Sequence, residues 1–439
     1  MQFHDALQYL LSLGHETLAI KLGLTNTERL LDALGHPQSF FPAVQIAGTN
    51  GKGSTAVMLD AMARAAGIRT GLYTSPHLVS ITERIRISGQ EISPEEFARL
   101  TAEVRGVAER LRVDGTLPAL PTFFEHVTAI ALSAFKEARV QLAILETGLG
   151  GRLDSTTVAR AETIAITPIA LDHQEYLGET LAEIAAEKAA IIRSGVTAVI
   201  APQPPEALEV ILKRCAECGV VPRLDGCRVE LIDAVDAEGR LRVTFETKRD
   251  RYESVLLGLR GRHQIGNASV AILLAEALRE RGFTITRRDI ICGLESASHA
   301  GRLELREEHP RLLFDGAHNE ASARALKDYL DEFVKAPVTL LFGAMRDKDL
   351  KAMTATLFPS AHHLMLIELE NPRAATLETL ARFVPPRFDP AKITLTSSPA
   401  EALRRARELT APDGIICVTG SLYLVGEIMR LTDIAGAPA

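Results

Sequence analysis

The sequence predicts an α/β protein of two domains, each built on a mostly parallel sheet. Short apolar segments alternate with amphipathic helical segments along most of the 439 residues, which is typical of parallel strands covered by helices on both faces. Between residues 224 and 259, short strands of alternating polarity replace this pattern, and the alternation resumes beyond residue 301. The chain is longer than one hydrophobic core usually serves. We therefore expect domains at residues 1–295 and 300–439, joined by the small, polar stretch 293–301.

The elements of the first domain follow one another as strands and helices. Two helices separated by a loop occupy residues 1–40, and a strand at VQIAG then runs into a glycine-rich loop. STAVMLDAMARAA, which begins at Ser54, forms a helix that Gly67 can end in the left-handed conformation. The later segments are predicted as strands at 70–76, 141–148, 161–169 and 197–202, a hairpin at 83–93, and helices at 94–111, 122–138, 178–193 and 207–218.

The second domain shows the same alternation. A helix at 263–282 precedes the linker. Beyond the linker, strands that are each followed by a helical segment are predicted at 311–316, 338–344, 363–369, 393–397 and 414–421.

The composition argues against several classes of protein. The net charge is -7, whereas nucleic-acid-binding proteins are normally basic. The N-terminus lacks the pattern of a signal peptide and no apolar run reaches membrane-spanning length, so we expect no membrane segment. The five cysteines form no disulfide framework, which indicates a reducing, cytoplasmic setting. Cys215 and Cys218 form a C-x-x-C with no second pair nearby, so we interpret them as helix residues rather than a zinc site.

The stretch AGTNGKGST, residues 47–55, is similar to a phosphate-binding loop but departs from the common pattern G-x-x-x-x-G-K-[ST]. Gly53 follows Lys52 where a hydroxyl residue is usual, and the first glycine of the pattern would fall at Ile46. Glycines let backbone N–H groups turn toward phosphate oxygens, and the N-terminus of the following helix adds partial positive charge. By itself the loop fits a capped helix after a tight turn equally well.

Several polar residues follow predicted strands, at the edge where parallel sheets bind ligands. Ser75 follows the second strand, Glu146 ends a strand whose four preceding residues are apolar, and His173 follows Asp172 after a further strand. Glu146 fits either a metal ligand or a strand end that meets solvent, and a lone histidine is more often a packing residue than a ligand. The edge that they share favours a functional interpretation.

In the second domain, Asp315 and His318 lie in FDGAHN at the end of its first strand. An acidic residue at such a place commonly binds a ribose hydroxyl in nucleotide-binding folds. Arg302 lies just beyond the linker, where we expect it to reach across the cleft between the domains.

Lys188 falls on the apolar face of its predicted helix. Counting from Thr180, the same stripe contains Leu181, Ile184 and Ile191. Such a lysine either extends its amine to the rim of the protein or serves as a functional amine. Burial lowers the pKa of a lysine and leaves a neutral amine, which carbon dioxide can convert into an anionic carbamate that binds metal ions.

Together these stretches resemble one family. The motifs occur in the family order and span nearly the whole chain: AGTNGKGST, YTSPHL at 73–78, ER at 83–84, LETGLGGRLDST at 145–156, TPIALDH at 167–173, LAEIAAEKAAIIR at 181–193, GRHQIGNA at 261–268, GRLE at 301–304, FDGAHN at 314–319, RDKD at 346–349 and TGSLYLVGE at 419–427. By these motifs the chain resembles the folylpolyglutamate synthase/dihydrofolate synthase family of the Mur ligase superfamily. The resemblance implies an N-terminal P-loop ATPase-like domain that also holds the folate site, and a C-terminal Rossmann-like glutamate-ligase domain.

The resemblance also implies a reaction. ATP phosphorylates a substrate carboxylate, the amine of L-glutamate attacks the acyl phosphate, and phosphate leaves as an amide forms. The implied acids are dihydropteroate and reduced folates, and the implied cofactors are ATP and two Mg²⁺ ions. We expect these small molecules as partners, with no nucleic acid and no membrane, and the family implies a monomer.

The resemblance assigns residues to a nucleotide site, and the chain departs from the family at one position. The residues that match nucleotide contacts are Asn50, Gly51, Lys52, Gly53, Ser54, Thr55, Asn267, Arg302, Asp315 and His318. The chain departs at Thr157, where Asn more often follows the preceding Ser-Thr pair. This departure concerns the conformation of the loop that contains Thr157 and the preference between dihydrofolate synthase and folylpolyglutamate synthase activity.

The remaining assignments concern metal and substrate. Residues that match ligands of the first magnesium are Ser54, Ser75 and Glu146, and those of the second are His173 and a carbamylated Lys188. The catalytic candidates are Lys52, His173 and Lys188. Phe124 and Asp154 match the pterin-side pocket, and Arg84 is the candidate for the acidic end of the substrate.

Two other functions fit parts of the sequence. A cell-wall Mur ligase would share the loop, but the resemblance predicts a whole uridine-nucleotide domain before it, and only 46 residues precede Ala47. A non-enzymatic ATP-binding switch needs the loop but gives no reason for Glu146, His173 and Lys188 to share one edge. The sequence leaves open whether both synthase activities are present and how long a glutamate tail is built.

Overall fold

A computed structural model describes residues 1–14, 23–224, 226–234 and 239–436. The chain divides into two compact units. The first comprises Met1–Arg228, Glu246–Arg251 and Asn267–Ser296, and the second comprises Val229–Phe245, Tyr252–Gly266 and Ala297–Ala439. Each unit contains a largely parallel sheet with flanking helices, which confirms the predicted α/β class.

The sheet of the first unit has seven strands. They are β1 (Ala43–Ala47), β2 (Thr70–Tyr73), β3 (Ile85–Ile87), β4 (Gln90–Glu91), β5 (Leu142–Glu146), β6 (Thr163–Ile166) and β7 (Thr197–Ile200). Their spatial order is β4-β3-β2-β5-β1-β6-β7. The pairs β2–β3 and β3–β4 are antiparallel, and all other neighbouring pairs are parallel. The predicted hairpin therefore forms one margin of the sheet, and β1 lies inside it between β5 and β6.

The helices up to the end of the first unit are α1 (Phe3–Ser12), α2 (Thr25–Ala33), α3 (Lys52–Ala65), α4 (Pro94–Val113), α5 (Phe123–Glu137), α6 (Gln174–Leu177), α7 (Leu181–Ala189), α8 (Pro205–Glu217), α9 (His263–Glu280) and α10 (Arg287–Ser296). The loop predicted between α1 and α2 lies partly outside the described residues. Cys215 lies in α8 and Cys218 at its C-terminal end, which confirms the helical position that the sequence predicted. Both cysteines are free. None of the helices in the described ranges combines the length and the apolar character that a bilayer crossing requires.

Helix α3 is buried along most of its length. Every residue from Gly53 to Ala63 is buried, since the helix packs between the sheet and α10. It begins at Lys52, two residues before the predicted start at Ser54, because Gly51 supplies the N-cap with a left-handed φ of 86°. The lysine of the loop is thus the first residue of the helix.

Two sequence expectations are corrected. Residues 293–296 belong to α10 rather than to a linker, because Gly293 packs so closely on α3 that a Cβ there would lie 2.4 Å from the Cα of Met62. Helix α7 ends at Ala189 instead of continuing to Arg193. The chain turns away there, and the Arg193 guanidinium donates to the Ala161 carbonyl at 2.7 Å.

Beyond α8 the chain forms two further sheets. One has three strands in the order β10-β9-β8, which are β8 (Arg228–Ala234), β9 (Leu241–Glu246) and β10 (Arg251–Leu256). The other has six strands, β11 (Glu304–Arg306), β12 (Arg311–Phe314), β13 (Val338–Phe342), β14 (His363–Ile367), β15 (Ile393–Thr396) and β16 (Ile415–Thr419). Its order is β11-β12-β16-β13-β14-β15, and all neighbours are parallel except β11 with β12. The helices of this region are α11 (Glu320–Phe333), α12 (Leu350–Leu357), α13 (Leu377–Ala381), α14 (Pro399–Leu409) and α15 (Leu422–Gly436).

Residues 229–245 and 252–266 group with the second unit, although the sequence placed them with the first domain. Packing on α11 accounts for this grouping. A Cβ at Gly239 would lie 2.5 Å from the Tyr329 ring, and the Arg262 guanidinium donates twice to the Glu332 carboxylate, both at 2.7 Å. The chain passes between the units after Ser296, inside the stretch predicted as a linker.

Helix α1 is joined to α5 by a buried histidine. His126 is fully buried, and its Nδ1 donates to the Thr122 carbonyl at 3.1 Å, which leaves Nε2 to accept from the Tyr9 hydroxyl at 3.1 Å. The Arg105 guanidinium of α4 covers the Tyr9 ring at 4.6 Å from its centroid. Burial lowers the pKa of His126 from 6.5 to about 4, so the ring stays neutral near pH 7.

We expect His126 to destabilise the fold in mild acid. Because its folded-state pKa of about 4 lies below the ordinary 6.5, the unfolded chain binds a proton that the folded chain excludes. The free energy of unfolding therefore falls as the pH drops from about 6.5 toward 4, by about 3 kcal/mol over the full titration. Urea unfolding of the wild type and His126→Gln at pH 7 and pH 5 measures this difference. The variant should lose less stability between the two pH values, and equal losses would contradict the assignment.

Candidate functional site

The loop after β1 is bonded to the segment after β6. The N–H groups of Thr49 and Asn50 both donate to the Pro168 carbonyl at 3.1 Å, and the Thr49 hydroxyl both donates to and accepts from the backbone of Ala170 at 3.1 Å. Gly48 has a φ of 145°, and a Cβ there would lie 1.9 Å from the Thr167 hydroxyl. Glycine is required because the two segments meet with no room for a side chain.

The loop leads directly into the first turn of α3. The Lys52 amine donates to the Thr49 carbonyl at 3.1 Å, and Ser54 and Thr55 are buried. Among the described residues, nothing hydrogen-bonds the buried Thr55 hydroxyl. A glycine turn at a helix N-terminus, with a lysine and a buried hydroxyl that has no bonding partner, suits an anionic phosphate group.

Asn267 is brought to this loop from α9. It is buried, and its Oδ1 lies where Gly51 has no side chain, since a Cβ at Gly51 would come within 2.2 Å of it. Asn267, which the sequence predicted as a nucleotide contact, therefore lies next to the loop although it is more than 200 positions away in the chain.

Glu146 and Ser75 lie together at the carboxyl edge of the sheet. Strands β2 and β5 are parallel neighbours, so the residues that follow them meet. Glu146 is 5% exposed, and its Oε2 accepts from the Ser75 N–H at 3.1 Å. The carboxylate is thus a buried strand end and does not simply meet solvent.

Lys188 is 4% exposed, and its amine donates to the Gly48 carbonyl at 2.8 Å. Burial, and after it the charge of the nearby Lys52, lower the pKa of this lysine from 10.5 to about 7. The carboxylates of Asp172, Asp154 and Glu187 oppose the shift. The apolar face predicted the burial correctly, and the amine reaches the glycine loop rather than the protein rim.

His173 and Asp172 lie two residues beyond the segment that binds the loop. His173 has a left-handed φ of 50°, and its ring is 31% exposed. Its N–H donates to the Asp172 Oδ1 at 2.9 Å, and its Nε2 is 3.9 Å from the same oxygen. Asp172 is buried, and its charge opposes the lowering of the Lys188 pKa.

The donor atoms near the loop fit magnesium only in combination with a nucleotide. Among the described residues there is no group of three or more His, Cys, Asp or Glu side chains arranged around a metal position. Glu146 with the hydroxyls of Ser54 and Ser75 suits Mg²⁺, which usually keeps waters and shares its ligands with substrate phosphates. Lys188 as an ammonium ion repels a cation, so with His173 it fits a metal only as a carbamate.

Phe124 and Asp154 both contact the glycine-rich loop after β5. A Cβ at Gly148 would lie 2.4 Å from the Phe124 ring. Asp154 accepts from the Leu149 N–H at 2.9 Å and from the Thr156 N–H at 3.0 Å, and burial raises the pKa of its carboxyl. Asp154 therefore organises the loop, whatever it contacts in a bound substrate.

Arg84 is almost fully buried. Its Nε donates to the His77 Nδ1 at 2.8 Å, and its guanidinium lies 5.4 Å from the Phe123 ring centroid. Its role toward the acidic end of the substrate stays a prediction.

In the second unit, Arg302, Asp315 and His318 lie together at the carboxyl end of β12. Asp315 accepts from the N–H groups of Leu303 and Ala317 at 3.0 Å each, and burial raises its pKa while the Arg302 guanidinium opposes that rise. The His318 Nδ1 lies 2.8 Å from the Gly316 carbonyl. The sequence correctly placed Asp315 and His318 at this strand end, and the structure brings Arg302 to the same place. Their contact with a nucleotide stays a prediction.

One residue that organises the site was missed by sequence analysis. Gln203 accepts from the Ile169 N–H at 2.9 Å and donates to the Thr167 carbonyl at 3.1 Å, which fixes the segment that binds the loop. It lies in the turn PQPP after β7, where no spacing or periodicity marks it.

The contact between Gly51 and Asn267 gives a test of the loop. We expect Gly51→Ala to lower the affinity for ADP about tenfold or more, because the new Cβ displaces the Asn267 amide. Gly67→Ala is the matched control, since Gly67 also has a positive φ, 74°, but a Cβ there meets nothing within 4 Å. The control should lose only about 1 kcal/mol of stability from backbone strain. Calorimetric titration with ADP compares the two, and equal affinities would show that the loop does not depend on this contact.

Comparison with known proteins identifies the family. The chain matches the Mur ligase middle domain over residues 46–275 and the Mur ligase glutamate ligase domain over residues 301–422. It is 35% identical over 426 residues to the dihydrofolate synthase/folylpolyglutamate synthase of Bacillus subtilis, with 95% of this chain and 96% of that protein covered. The Escherichia coli protein of the same name is 33% identical, with 97% and 94% covered.

Solved structures agree with the sequence matches. The folylpolyglutamate synthase of Mycobacterium tuberculosis complexed with ADP superposes with a TM-score of 0.90 and 31% identity, covering 99% of this chain and 98% of that chain. The Escherichia coli FolC in complex with DHPP and ADP has a TM-score of 0.87 and 31% identity, with 100% and 99% covered. With the loop, the strand-end residues and the buried lysine in place, these matches show that the chain belongs to the folylpolyglutamate synthase/dihydrofolate synthase family of Mur ligases.

Proposed function

We propose that this protein is an ATP-dependent ligase that joins L-glutamate to dihydropteroate and to reduced folates through an acyl phosphate. The observation that carries the proposal is the buried amine of Lys188, held on the glycine loop by the Gly48 carbonyl. A nucleotide switch has no use for such an amine. Related structures support the substrate classes, since one contains Mn, AMPPNP and L-glutamate and has a TM-score of 0.84 to this chain.

The reaction has two steps. In the first, a carboxylate oxygen of the acid attacks the γ-phosphorus of ATP, the bond to the ADP oxygen breaks, and an acyl phosphate forms. In the second, the amine nitrogen of L-glutamate attacks the acyl carbon, the bond to the phosphate oxygen breaks, and the nitrogen releases a proton as the amide forms. Phosphoryl transfer of this kind depends on positioning and on electrostatic stabilisation.

The residues of the first unit supply that positioning. Lys52 and the backbone N–H groups at the start of α3 bind the phosphates of the nucleotide, with Asn267 adjacent to the loop. Ser54, Ser75 and Glu146 would hold a magnesium ion, which would neutralise charge on the transferred phosphoryl group. Lys52, at the N-terminus of α3, offsets the same negative charge.

Lys188 serves as a carbamate. With a pKa of about 7, a substantial fraction of the amine is neutral at pH 7 and can attack carbon dioxide, with loss of a proton. The resulting anion would be attracted to Lys52 and, together with His173, would hold a second metal ion. The same step removes the cost of a buried positive charge beside Lys52.

The remaining assignments belong to the same proposal. Phe124, Asp154 and Arg84 bind the acid substrate, and Arg302, Asp315 and His318 bind the nucleotide. Residues 1–295 and 300–439 act as the ATP-binding and glutamate-ligase domains. The protein works as a monomer in the cytoplasm.

Substrate-dependent ADP release tests the function. We expect ADP release from ATP only when both dihydropteroate, or a reduced folate, and L-glutamate are present, because the first step stalls without the acid and turnover stalls without the amine. A coupled ADP assay with each substrate omitted in turn measures this. Release that ignores both substrates would favour a nucleotide switch, and turnover with a uridine-linked muramyl acid would favour a cell-wall ligase. Complementation of strains that lack each activity separately then tells whether one or both synthases are present.

Replacement of Lys188 tests the carbamate. We expect Lys188→Ala to lower kcat by about 100-fold, as loss of a metal-site contact does, and acetate to restore part of it by supplying a small carboxylate. Lys213→Ala is the control, since Lys213 is exposed on the neighbouring helix α8 and should be dispensable. Full activity of Lys188→Ala without acetate would remove the lysine from the mechanism.

A further inference from the structure

A partly buried chain of hydrogen bonds joins β1 to the loop after β5. Gln45 lies in the middle of β1 and is fully buried. Its Nε2 donates to the Thr157 hydroxyl at 2.8 Å and to the Thr156 hydroxyl at 3.1 Å. The Thr157 hydroxyl donates in turn to the Gly151 carbonyl at 2.7 Å, and the Thr156 hydroxyl donates to the Asp154 carboxylate at 2.5 Å.

The direction of these bonds follows from the number of hydrogens available. Each threonine hydroxyl has one hydrogen, and each gives it to an oxygen that can only accept. Gln45 must therefore present its NH₂ group to both hydroxyls. Its Oε1 is buried and has no hydrogen-bond partner among the described residues. An unpaired buried acceptor lowers the free energy of unfolding, so an apolar side chain would fill this space at less cost.

The far end of the chain reaches the helix that carries Lys188. A Cβ at Gly151 would lie 3.0 Å from the carbonyl oxygens of both Glu187 and Lys188, so the loop backbone packs directly on the last turn of α7. The Arg152 N–H donates to the Glu187 carbonyl at 2.9 Å. At the near end, β1 leads into the glycine loop. The network thus connects the strand before Lys52 to the helix turn of Lys188.

We propose that Gln45 and Thr157 are positioning residues for the ligase reaction, which hold residues 148–152 against α7 and so fix Lys188 relative to the glycine loop. This inference rests on the proposed function. It also states what position 157 requires: a side chain that accepts a hydrogen bond from Gln45 and donates one to the Gly151 carbonyl.

This requirement is compatible with threonine at position 157, where the resemblance led us to expect asparagine. A threonine hydroxyl accepts and donates at one atom, while an asparagine accepts at Oδ1 and donates at Nδ2. Both residues can therefore bridge Gln45 and Gly151. Valine has nearly the same shape as threonine but can neither accept nor donate a hydrogen bond. The substitution of Thr for the more usual Asn therefore preserves the bridge.

Three variants at position 157 test the proposal. We expect Thr157→Val to lower kcat about tenfold, the scale on which residues that orient metal-site ligands act, with the KM for ATP little changed because the phosphate contacts are intact. Thr157→Ser and Thr157→Asn should keep most of the wild-type kcat. Thr163→Val is the control, since Thr163 is buried in β6 and its hydroxyl has no partner among the described residues, whereas Thr157 is half-buried and bonded. It should leave kcat unchanged.

Hydrogen–deuterium exchange provides a readout that does not depend on turnover. Thr157→Val should speed exchange at residues 148–153, and the Ser, Asn and control variants should not. A Thr157→Val protein with wild-type kcat, or Ser and Asn variants as impaired as the Val variant, would overturn the proposal. A Thr157→Val protein with lower thermal stability but unchanged kcat would also overturn the proposal, because Gln45 and Thr157 would then have only a structural role. An inactive wild-type protein would instead overturn the proposed function, and the exchange rates would still decide whether the pair holds the loop.

Discussion

The amine of Lys188 is buried and lies 2.8 Å from the Gly48 carbonyl, 140 residues away in the chain. Burial and the neighbouring Lys52 both disfavour a positive charge there, and the carboxylates of Asp172, Asp154 and Glu187 only partly compensate. At neutral pH the protein therefore holds a partly deprotonated amine where the glycine loop meets α7. The chemistry that we propose, carbamate formation and metal binding, follows from this electrostatic constraint.

That contact depends on glycines where segments distant in sequence approach one another. Gly48 meets Thr167, Gly51 meets Asn267, and Gly151 meets the carbonyls at the end of α7, and in each case a Cβ would lie within about 3 Å of another atom. The loop AGTNGKGST contains two of these three glycines, Gly48 and Gly51. Its glycines permit close approach of other segments in addition to the turn itself.

Two buried aspartates play parallel parts in the two units. Asp154 and Asp315 each follow a strand end, each accepts two backbone N–H groups from nearby turns, and burial raises the pKa of both. Removing either carboxylate would leave buried N–H groups without partners and distort the turn. Loss of activity in such variants would consequently report on loop structure as much as on ligand contact. The Thr157 series avoids this difficulty, because serine and asparagine keep the hydrogen bonds that valine removes.

The sequence by itself determined the order of the elements, the α/β class and the family. Periodicity placed Lys188 on the apolar face of its helix and left open whether its amine is buried or reaches the rim. The parallel arrangement of strands sufficed to bring Ser75 and Glu146 to one edge. Only the tertiary structure decided that residues 293–296 continue a helix, that Gln203 fixes the segment beside the loop, and that Lys188 bonds to Gly48. Local patterns record which face of an element is apolar, because burial acts on each element separately. They do not record which carbonyl or amide that face will meet, because such contacts are set by packing between segments that can lie more than a hundred residues apart.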